Sequence, residues 1–443
     1  MSEVKGMSRS PSTSSTSSPA DLRESPRTSV SSAALPDIQP PKPFGYPSLP
    51  FYRKAVSLTA ASAIVFRGMA TVGVDDGGAY LWIGRLVLCA CLCRFVIVWQ
   101  VQQIKKRHLL SFKDAAQPGS KFQEVDGVSA HYIEEKIADK TNAKLFFLHG
   151  LGANAFTWEA VMRPMSRKYD VACMAHDRVG FGLTERPQEV SKYTNSFNVK
   201  VVQRLAEVRP HERIVLVGHS LGGLTMALAA LSMPNVEALV LVAPAILSGD
   251  TCSDGLWRKF LRCFTRLAVS ALEKCVVICY PLILEFLRTI VYNVAFWKWG
   301  VGKSWFDEAK VPNRLLTQYQ WPSLVRDWDM GMAHFLRTHL RWAVLALSTH
   351  VSWSVEVPTC EGQSLVQKLN ATDLPILIVH GSEDILVPVR NSRRLHQQLQ
   401  NSEFVELPRC GHTPHEETPD QFVQIVGNFV VAQARKKVGD ELQ

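Results

Sequence analysis

From residue 120 onward, the chain alternates short apolar segments with stretches of helical character, and this alternation restricts the possible folds most. Continuous apolar segments separated by helices are typical of a parallel sheet that is buried on both faces. A hairpin comes first, in FQEVDGVSAHYIEE (122–135), where Asp126-Gly127 suits the turn. The pattern predicts an α/β fold whose central sheet is mostly parallel and flanked by helices, with a helical insertion after residue 245. The predicted strands are KLFFLHG (144–150), YDVACMAHD (169–177), RIVLVGHS (213–220), VEALVLVAP (236–244), LPILIVHG (374–381) and SEFVELP (402–408).

Ser220 stands in GHSLG (218–222), between the apolar strand RIVLV and a helix that begins LGGLTMALAALSM. A G-x-S-x-G sequence between a strand and a helix is typical of a nucleophilic serine on a tight turn. The glycines are needed because the turn crowds the backbone, so that any Cβ would clash. The helix N-terminus behind the serine favours developing negative charge. We expect Ser220 to be a catalytic nucleophile; the competing interpretation is an ordinary glycine-rich turn.

A serine hydroxyl needs a base to remove its proton and a third group to orient that base. Asp384 in HGSEDILVP follows one predicted strand, and His412 in RCGHTPHEE follows the next. Active sites of open α/β sheets form at the carboxyl ends of the strands, so the three residues can converge there. Glu383 is the rival acid and His415 the rival base. The loop after HGSED favours Asp384, and the position directly after the strand and its glycine favours His412.

Acyl transfer builds negative charge on a carbonyl oxygen, and preorganised N–H donors stabilise that charge. The backbone N–H of Leu221, the residue after the serine, is one expected donor. The loop HGLGAN (149–154) is expected to supply the second donor from Leu151, because its small residues permit close backbone approach. These two backbone groups form the predicted oxyanion hole.

Other polar residues near these motifs have simpler expected roles. Asp177 in AHDRVGFGLTERP lies at a strand end and could be taken for a catalytic carboxylate, but we expect it to organise its loop together with Arg178. His219 is expected to pack beside the turn. His415 and Asp420 match H-x-x-x-x-D, a pattern linked to acyltransferases, for which capping of a helix start is the preferred interpretation.

The composition excludes several classes of function. The net charge of +9 comes from scattered basic residues and short runs such as KKRH (105–108), without the basic stripe of a nucleic-acid site, so no nucleic-acid partner is expected. The ten cysteines lack the spacing of a disulfide framework, and the C-x-C pairs at 89–93 lack further zinc ligands. We expect reduced, buried thiols, no metal and no organic cofactor; the sequence indicates no oligomeric state.

The first hundred residues are unlike the rest of the chain. Residues 1–50 are rich in Ser and Pro and cannot bury enough apolar surface to fold, so disorder is predicted. A plastid transit peptide is the alternative, which the acidic residues of the segment oppose. Two apolar runs follow, at 55–74 and 79–101. The second has 23 residues, enough to cross about 30 Å of hydrocarbon, although Arg85 and Arg94 would have to snorkel.

These runs predict a membrane-associated protein, with a true transmembrane helix at 79–101 as the stronger form of the prediction. The alternative is a hydrophobic helix that packs on the folded domain or lies at the membrane interface. If the run spans the bilayer, the basic residues of 105–108 place the C-terminal domain on the cytoplasmic-type side.

A further apolar stretch, Lys274–Gly300, lies between the nucleophile and its base. A single span there would put Ser220 and His412 on opposite faces of a bilayer, although the two must meet. The uncharged run 275–284 is only ten residues long and contains Pro281, so it is too short to span. We expect it to belong to a cap over the serine, where it lines an acyl-chain pocket or touches a membrane; simple core packing is the alternative.

The motifs HGLGAN, DRVGFGLTERP, GHSLGG, HGSED and CGHTPHEE together resemble the α/β-hydrolase superfamily, specifically its cap-bearing serine branch of esterases, lipases and C–C bond hydrolases. The resemblance covers about 120–437, and the general layout resembles uncharacterised plant members. It implies an α/β-hydrolase fold with the nucleophile, acid, base and donors assigned above. A serine at the elbow departs from epoxide hydrolases and haloalkane dehalogenases, which use aspartate. The expected domains are a disordered 1–50, a membrane-associating 51–118, a hydrolase core of 119–245 and 371–443, and a helical cap of 246–370.

The expected function is hydrolysis of a carboxylic ester, lipophilic or lipid-derived, through an acyl-enzyme intermediate. Two alternatives from other classes stay open. One is acyl transfer or C–C bond hydrolysis by the same three residues, and the other is a ligand-binding receptor on a hydrolase fold. Family membership does not decide the substrate.

Overall fold

The computed structural model describes residues 110–135, 143–207, 213–246, 290–291, 294–348 and 364–441, with the backbone alone for 340–348 and 437–441. Several predictions fall outside these ranges: the disordered segment 1–50, the two apolar runs before residue 102, and all but the last residues of the Lys274–Gly300 stretch. They stay predictions. Within the described ranges, no helix is both long enough and apolar enough to cross a membrane.

Eight strands in the described residues form one sheet, in the order β1-β2-β4-β3-β5-β6-β7-β8. The two pairs that involve β2 are antiparallel, and all other pairs are parallel. The first two strands form the predicted hairpin, with positive φ at Asp126 and Gly127. The mostly parallel sheet predicted from the apolar alternation is confirmed. The strands are β1 (Lys121–Val125), β2 (Val128–Glu135), β3 (Lys144–Leu148), β4 (Ala172–His176), β5 (Ile214–His219), β6 (Val236–Val242), β7 (Ile376–Gly381) and β8 (Ser402–Leu407).

The described helices connect and cover these strands. The α-helices are α1 (Glu159–Tyr169), α2 (Asn195–Ala206), α3 (Leu221–Ala230), α4 (Val294–Gly302), α5 (Asn313–Gln320), α6 (Trp328–Ser348), α7 (Leu365–Asn370), α8 (Val389–Gln398), α9 (Pro414–Glu417) and α10 (Pro419–Glu441). Short 3-10 helices are at Ala155–Trp158, Val190–Tyr193, Glu308–Lys310 and Trp321–Leu324.

Alternate residues of the central strands enter two different cores, which explains why the strands are apolar throughout. In β3, Leu145 and Phe147 pack into the core beneath α1 and α10. Phe146 and Leu148 pack into the core beneath α2 and α3. All four side chains are fully buried, and each such burial is worth roughly 1.5–3 kcal/mol relative to exposure. The sheet is therefore held from both sides, and its carboxyl edge is a rigid platform.

Between β6 and β7 the described residues form helices and turns without a strand, in keeping with the predicted insertion. Part of this region packs on the sheet edge. A small third core joins Ala153, in the loop after β3, to Val301 and Trp305 and to side chains of α5. The domain boundaries themselves stay a prediction. Residues before β1 also contact this region, since the N–H of Leu110 donates to the carbonyl oxygen of Leu324 at 2.9 Å.

Candidate active site

Ser220 lies between β5 and α3 with φ +50° and ψ −118°, a conformation that a serine adopts only under strain. Its N–H donates to the carbonyl oxygen of Val242 at 2.8 Å, and its own carbonyl oxygen accepts from Gly223 at 3.0 Å. The crowding predicted for the glycines is present. A Cβ on Gly218 would lie 2.6 Å from the oxygen of Gly222. The turn therefore holds the serine side chain above the end of β5.

Asp384 and His412 follow the adjacent strands β7 and β8, and the structure brings them together. The Nδ1 of His412 donates to the Oδ2 of Asp384 at 2.6 Å. The other carboxylate oxygen accepts from the backbone N–H groups of Leu386 and Val387, at 2.8 and 2.9 Å. The loop after HGSED thus wraps round Asp384. The carboxylate that bonds His412 is thus that of Asp384 and not that of the rival acid Glu383, and the imidazole after β8 that bonds Asp384 is that of His412 and not that of the rival base His415.

His380 is a second imidazole on Asp384, and the sequence reasoning did not identify it. Its Nε2 lies 2.9 Å from the Oδ2 of Asp384 and 2.8 Å from the carbonyl oxygen of Val387. Because both neighbours only accept, Nε2 carries the proton, and Nδ1 accepts from the hydroxyl of Ser392 at 2.7 Å. Burial would raise the pKa of Asp384, but the hydrogen bonds from His380 and His412 outweigh it and hold that pKa well below its usual value.

His219 connects the serine turn to the histidine loop. Burial, with the nearby His412 and His415, holds the pKa of His219 well below 6.5, so the ring is neutral. Its Nε2–H donates to the backbone carbonyl oxygen of His412 at 2.9 Å. Among the described residues, the hydroxyl of Ser220 makes no hydrogen bond to His412 itself. Bonds of this kind are commonly long in a site without substrate and tighten when substrate binds.

The loop after β3 lies directly against the serine turn. A Cβ on Gly150 would approach the Cβ of Ser220 to 3.0 Å, so only glycine allows this approach. The N–H of Arg178 donates to the Nε2 of His149 at 3.1 Å, which leaves the Nδ1–H of His149 to donate to the carbonyl oxygen of Gly150 at 2.7 Å. The two predicted donors thus come from abutting segments: Leu151 follows Gly150, and Leu221 is the first residue of α3, where an N–H has no partner within the helix.

Asp177 is not part of the serine site, and it organises its loop as predicted. It is fully buried. Its Oδ1 accepts from the N–H of Ala155, and its Oδ2 accepts from the N–H of Leu183 and bonds the Nδ1 of His131, each at 2.6 Å. Burial would raise the pKa of Asp177, but attraction and hydrogen bonding by His131 lower it overall. The adjacent Arg178 is also buried and donates to Thr225 on α3 at 2.8 Å.

His415, the rival base, is buried in a stack on Trp158, with ring centroids 4.0 Å apart. Burial and the neighbouring His412 lower the pKa of His415 to about 3, so the ring is neutral near pH 7 and is too weak a base to take up a proton there. Asp420 is exposed in the first turn of α10. The structure therefore gives no sign that the H-x-x-x-x-D residues form a site, and the helix-capping role expected for them stays a prediction.

The described residues include two cysteines, Cys173 and Cys410, and both are free and buried, as expected. Burial raises the pKa of Cys410 to about 12, so its thiol is unreactive. No cluster of His, Cys, Asp or Glu in the described ranges is arranged to hold a metal ion.

Six large apolar side chains of the described residues are exposed. Leu151 is in the loop against the serine turn, and Ile385 and Leu386 directly follow Asp384. The others belong to the insertion, on α4 or just after it. The full set is Leu151, Val294, Trp299, Phe306, Ile385 and Leu386, with exposed fractions of 42 to 67%. We call these six residues the apolar rim.

A family model for the α/β-hydrolase family matches residues 145–425. An uncharacterized protein of Mycobacterium bovis is 26% identical over 337 residues, which covers 74% of this chain and 85% of that protein. A pimeloyl-[acyl-carrier protein] methyl ester esterase of Aeromonas hydrophila is 26% identical over 289 residues, 65% of this chain and 94% of the esterase.

A crystal structure of a variant of CumD, a meta-cleavage product hydrolase, superimposes with a TM-score of 0.51. It is 20% identical and covers 70% of this chain and 98% of its own. The α/β-hydrolase fold predicted from the motifs is therefore confirmed. The sheet order, the strained turn after β5, the family model and these likenesses agree, and the chain belongs to the α/β-hydrolase family.

Proposed function

We propose that this hydrolase cleaves a carboxylic ester through an acyl-enzyme intermediate, with Ser220 as nucleophile, His412 as base and Asp384 as the acid that orients it. The single observation that carries the proposal is the 2.6 Å bond from the Nδ1 of His412 to Asp384, on a loop that His219 joins to the strained serine turn. A proton on Nδ1 leaves the lone pair of Nε2 free to accept the hydroxyl proton of Ser220.

The reaction then follows in two balanced halves. Ser220 Oγ adds to the ester carbonyl carbon while its proton passes to His412 Nε2. The tetrahedral intermediate collapses, the alcohol leaves with that proton, and the acyl group stays on Ser220. Water, deprotonated by the same Nε2, then attacks the acyl carbonyl carbon. As the Oγ–acyl bond breaks, Nε2 returns the proton to Ser220 Oγ and the carboxylic acid is released. The N–H groups of Leu151 and Leu221 are the proposed donors to the oxyanion; one such donor is worth about 3–4 kcal/mol.

The apolar rim favours a lipophilic ester. Of its six exposed side chains, Leu151 follows the loop glycine that abuts Ser220, and Ile385 and Leu386 follow Asp384. An acyl chain that covers them would remove apolar surface from water at about 25 cal/mol per Å². The apolar runs at 55–74 and 79–101, which lie outside the described residues, lead us to propose that the enzyme works at a membrane. The esterase relative supports ester chemistry in the family but does not decide this substrate.

The test is labelling of the full chain in membrane and soluble fractions with a fluorophosphonate probe, which reacts with activated serines. We expect the wild-type protein and the control variant Ser232→Ala, just beyond the far end of α3, to be labelled equally, and Ser220→Ala to be unlabelled. Hydrolysis of p-nitrophenyl esters from acetate to laurate should rise with chain length. Well-folded wild-type protein that resists the probe would contradict the proposal.

The same assays separate the alternatives. With glycerol or another alcohol as added acceptor, a transferase forms a new ester, whereas a hydrolase releases free acid. A receptor would keep its biological activity in Ser220→Ala, because binding does not need the nucleophile.

A further inference from the structure

The carboxylate of Glu417 joins the insertion to the loop that carries His412. Its Oε2 accepts from the backbone N–H of Gly411 at 2.6 Å. Its Oε1 accepts from the backbone N–H groups of Phe306 and Asp307, at 3.0 and 3.2 Å, and the N–H of Phe306 also donates to Oε2 at 3.2 Å. Three backbone donors from two segments that are more than 100 residues apart therefore converge on one side chain. We refer to these contacts as the Glu417 bridge.

The two joined backbones also touch one another directly. The N–H of His412 donates to the carbonyl oxygen of Ser304 at 2.6 Å. A Cβ on Gly411 would lie 2.8 Å from the backbone nitrogen of Phe306 and from the carbonyl carbon of Trp305. Ser304 is itself fixed, because its N–H and its hydroxyl both donate to the oxygen of Val301, at 2.9 and 2.6 Å. The backbone of His412 is thus held from the insertion side.

This contact bears on the imidazole because a side chain points where its backbone and its hydrogen bonds allow. The bond to Asp384 fixes the His412 ring through its Nδ1, and the bond to the carbonyl oxygen of Ser304 fixes the His412 backbone. Together they determine where Nε2 lies relative to Ser220. A displacement of about 1 Å between reacting groups can cost a factor of 10² in rate.

We propose that Glu417 is a positioning residue, which holds the His412 loop against the insertion so that the Nε2 of His412 faces Ser220. The proposal rests on the function proposed above and assigns that site a residue outside the Ser-Asp-His set. Glu416, next in the chain, does not have this role. Its Oε1 accepts from the hydroxyl of Tyr319 at 2.9 Å and so attaches α5 to α9.

The test compares Glu417→Gln with Glu308→Gln in the full chain. Glu308 is the matched control, since its exposed carboxylate is in the same segment of the insertion and pairs with Lys303. An amide has one acceptor oxygen and one NH₂ group, so in either orientation the NH₂ of Glu417→Gln faces a backbone N–H, either that of Gly411 or those of Phe306 and Asp307. We expect its rate constant for fluorophosphonate labelling, per folded molecule, to fall about 10- to 100-fold. With p-nitrophenyl butyrate as substrate, kcat should fall, while KM should stay within threefold of the wild-type value. Glu308→Gln should match the wild type.

A second measurement separates positioning from simple support of the fold. If Glu417 acts through His412, Glu417→Gln should change the labelling rate by less than twofold in a His412→Ala background. An equal loss in both backgrounds, or no loss in the wild-type background, would overturn the proposal. Should Glu417→Gln not fold, Glu417→Asp retains the charge but is one methylene too short to reach all three donors, and the same comparison applies.

The outcomes also distinguish this proposal from the one on which it rests. If Ser220→Ala keeps its label, or if His412→Ala labels as fast as the wild type, the proposed function fails. If those variants behave as expected and Glu417→Gln is indistinguishable from Glu308→Gln, only the positioning role fails.

Discussion

Replacing Asp177 with asparagine tests whether this buried carboxylate organises the fold or takes part in catalysis. The side chain meets three donors, the backbone N–H groups of Ala155 and Leu183 and the Nδ1 of His131. Ala155 bonds one carboxylate oxygen, and Leu183 bonds the other. An asparagine has the same shape, but one of its two ends is an NH₂ group. In either orientation, that NH₂ faces a backbone N–H.

The cost follows from these contacts. One buried N–H loses its acceptor, at about 1–3 kcal/mol, and the remaining bonds lose the benefit of a full negative charge. His131 can adapt, because its other nitrogen bonds the hydroxyl of Ser120 at 2.9 Å, and a hydroxyl can either donate or accept. We therefore expect Asp177→Asn to lower the free energy of unfolding by about 3–5 kcal/mol.

The assay is urea unfolding of both proteins, followed by tryptophan fluorescence, together with the fluorophosphonate labelling rate per folded molecule. That rate should stay within threefold of the wild type. Asp384→Asn provides the contrast, since loss of the orienting acid should slow labelling by about 10³–10⁴-fold. A similar loss of rate in Asp177→Asn, or a stability loss below about 1 kcal/mol, would refute this reasoning.

The pH dependence gives an independent check. The pKa of Asp177 is lower in the folded protein than the unfolded value of 3.8. A carboxylate of this kind contributes its full stability above the unfolded pKa and loses it as the pH falls through the folded pKa. The stability difference between the wild type and Asp177→Asn should therefore hold at pH 5 and shrink below about pH 4.

Two further predictions concern close packing and buried imidazoles. A Cβ on Gly222 would overlap the oxygen of Leu148, so Gly222→Ala should lower the unfolding free energy by about 1–3 kcal/mol; Gly223→Ala, whose nearest contacts begin at 3.3 Å, should cost less in the same thermal unfolding assay. His176 is buried without a hydrogen-bond partner for either nitrogen among the described residues, and burial lowers its pKa to about 3. Below about pH 6.5 the unfolded chain protonates this histidine while the folded chain keeps it neutral, so the free energy of unfolding falls with the pH. We therefore expect His176→Leu to lose about 2 kcal/mol less unfolding free energy than the wild type between pH 7 and pH 5, and equal losses would contradict this.

The sheet could be predicted from sequence because burial on both faces requires apolar residues at successive positions of a strand. Leu145 to Leu148 are all apolar since neighbours alternate between two cores. Asp384 and His412 could be found for a related reason. Their strands are adjacent and parallel, with Gly381 opposite Leu407, so the residues that follow them emerge side by side.

His380 and Glu417 could not be predicted in the same way. His380 is the next-to-last residue of an apolar strand and carries no motif, and its bond to Asp384 depends on how the loop after β7 folds back. A histidine at a strand end four residues before the acid was the available signal. Glu417 has partners 111 residues away in the insertion. No local pattern encodes that distance, because it arises only when the insertion packs on the sheet edge.

The bond from His219 to the carbonyl oxygen of His412 makes the variant Ser220→Ala useful for identifying the substrate. It joins the serine turn to the histidine loop without using the hydroxyl of Ser220, and the backbone bonds of the turn do not use it either. Ser220→Ala should therefore retain the shape of the site while losing the hydroxyl that we propose as the nucleophile. Such a protein is a suitable bait: incubated with a cellular lipid extract, it should hold intact esters for identification by mass spectrometry.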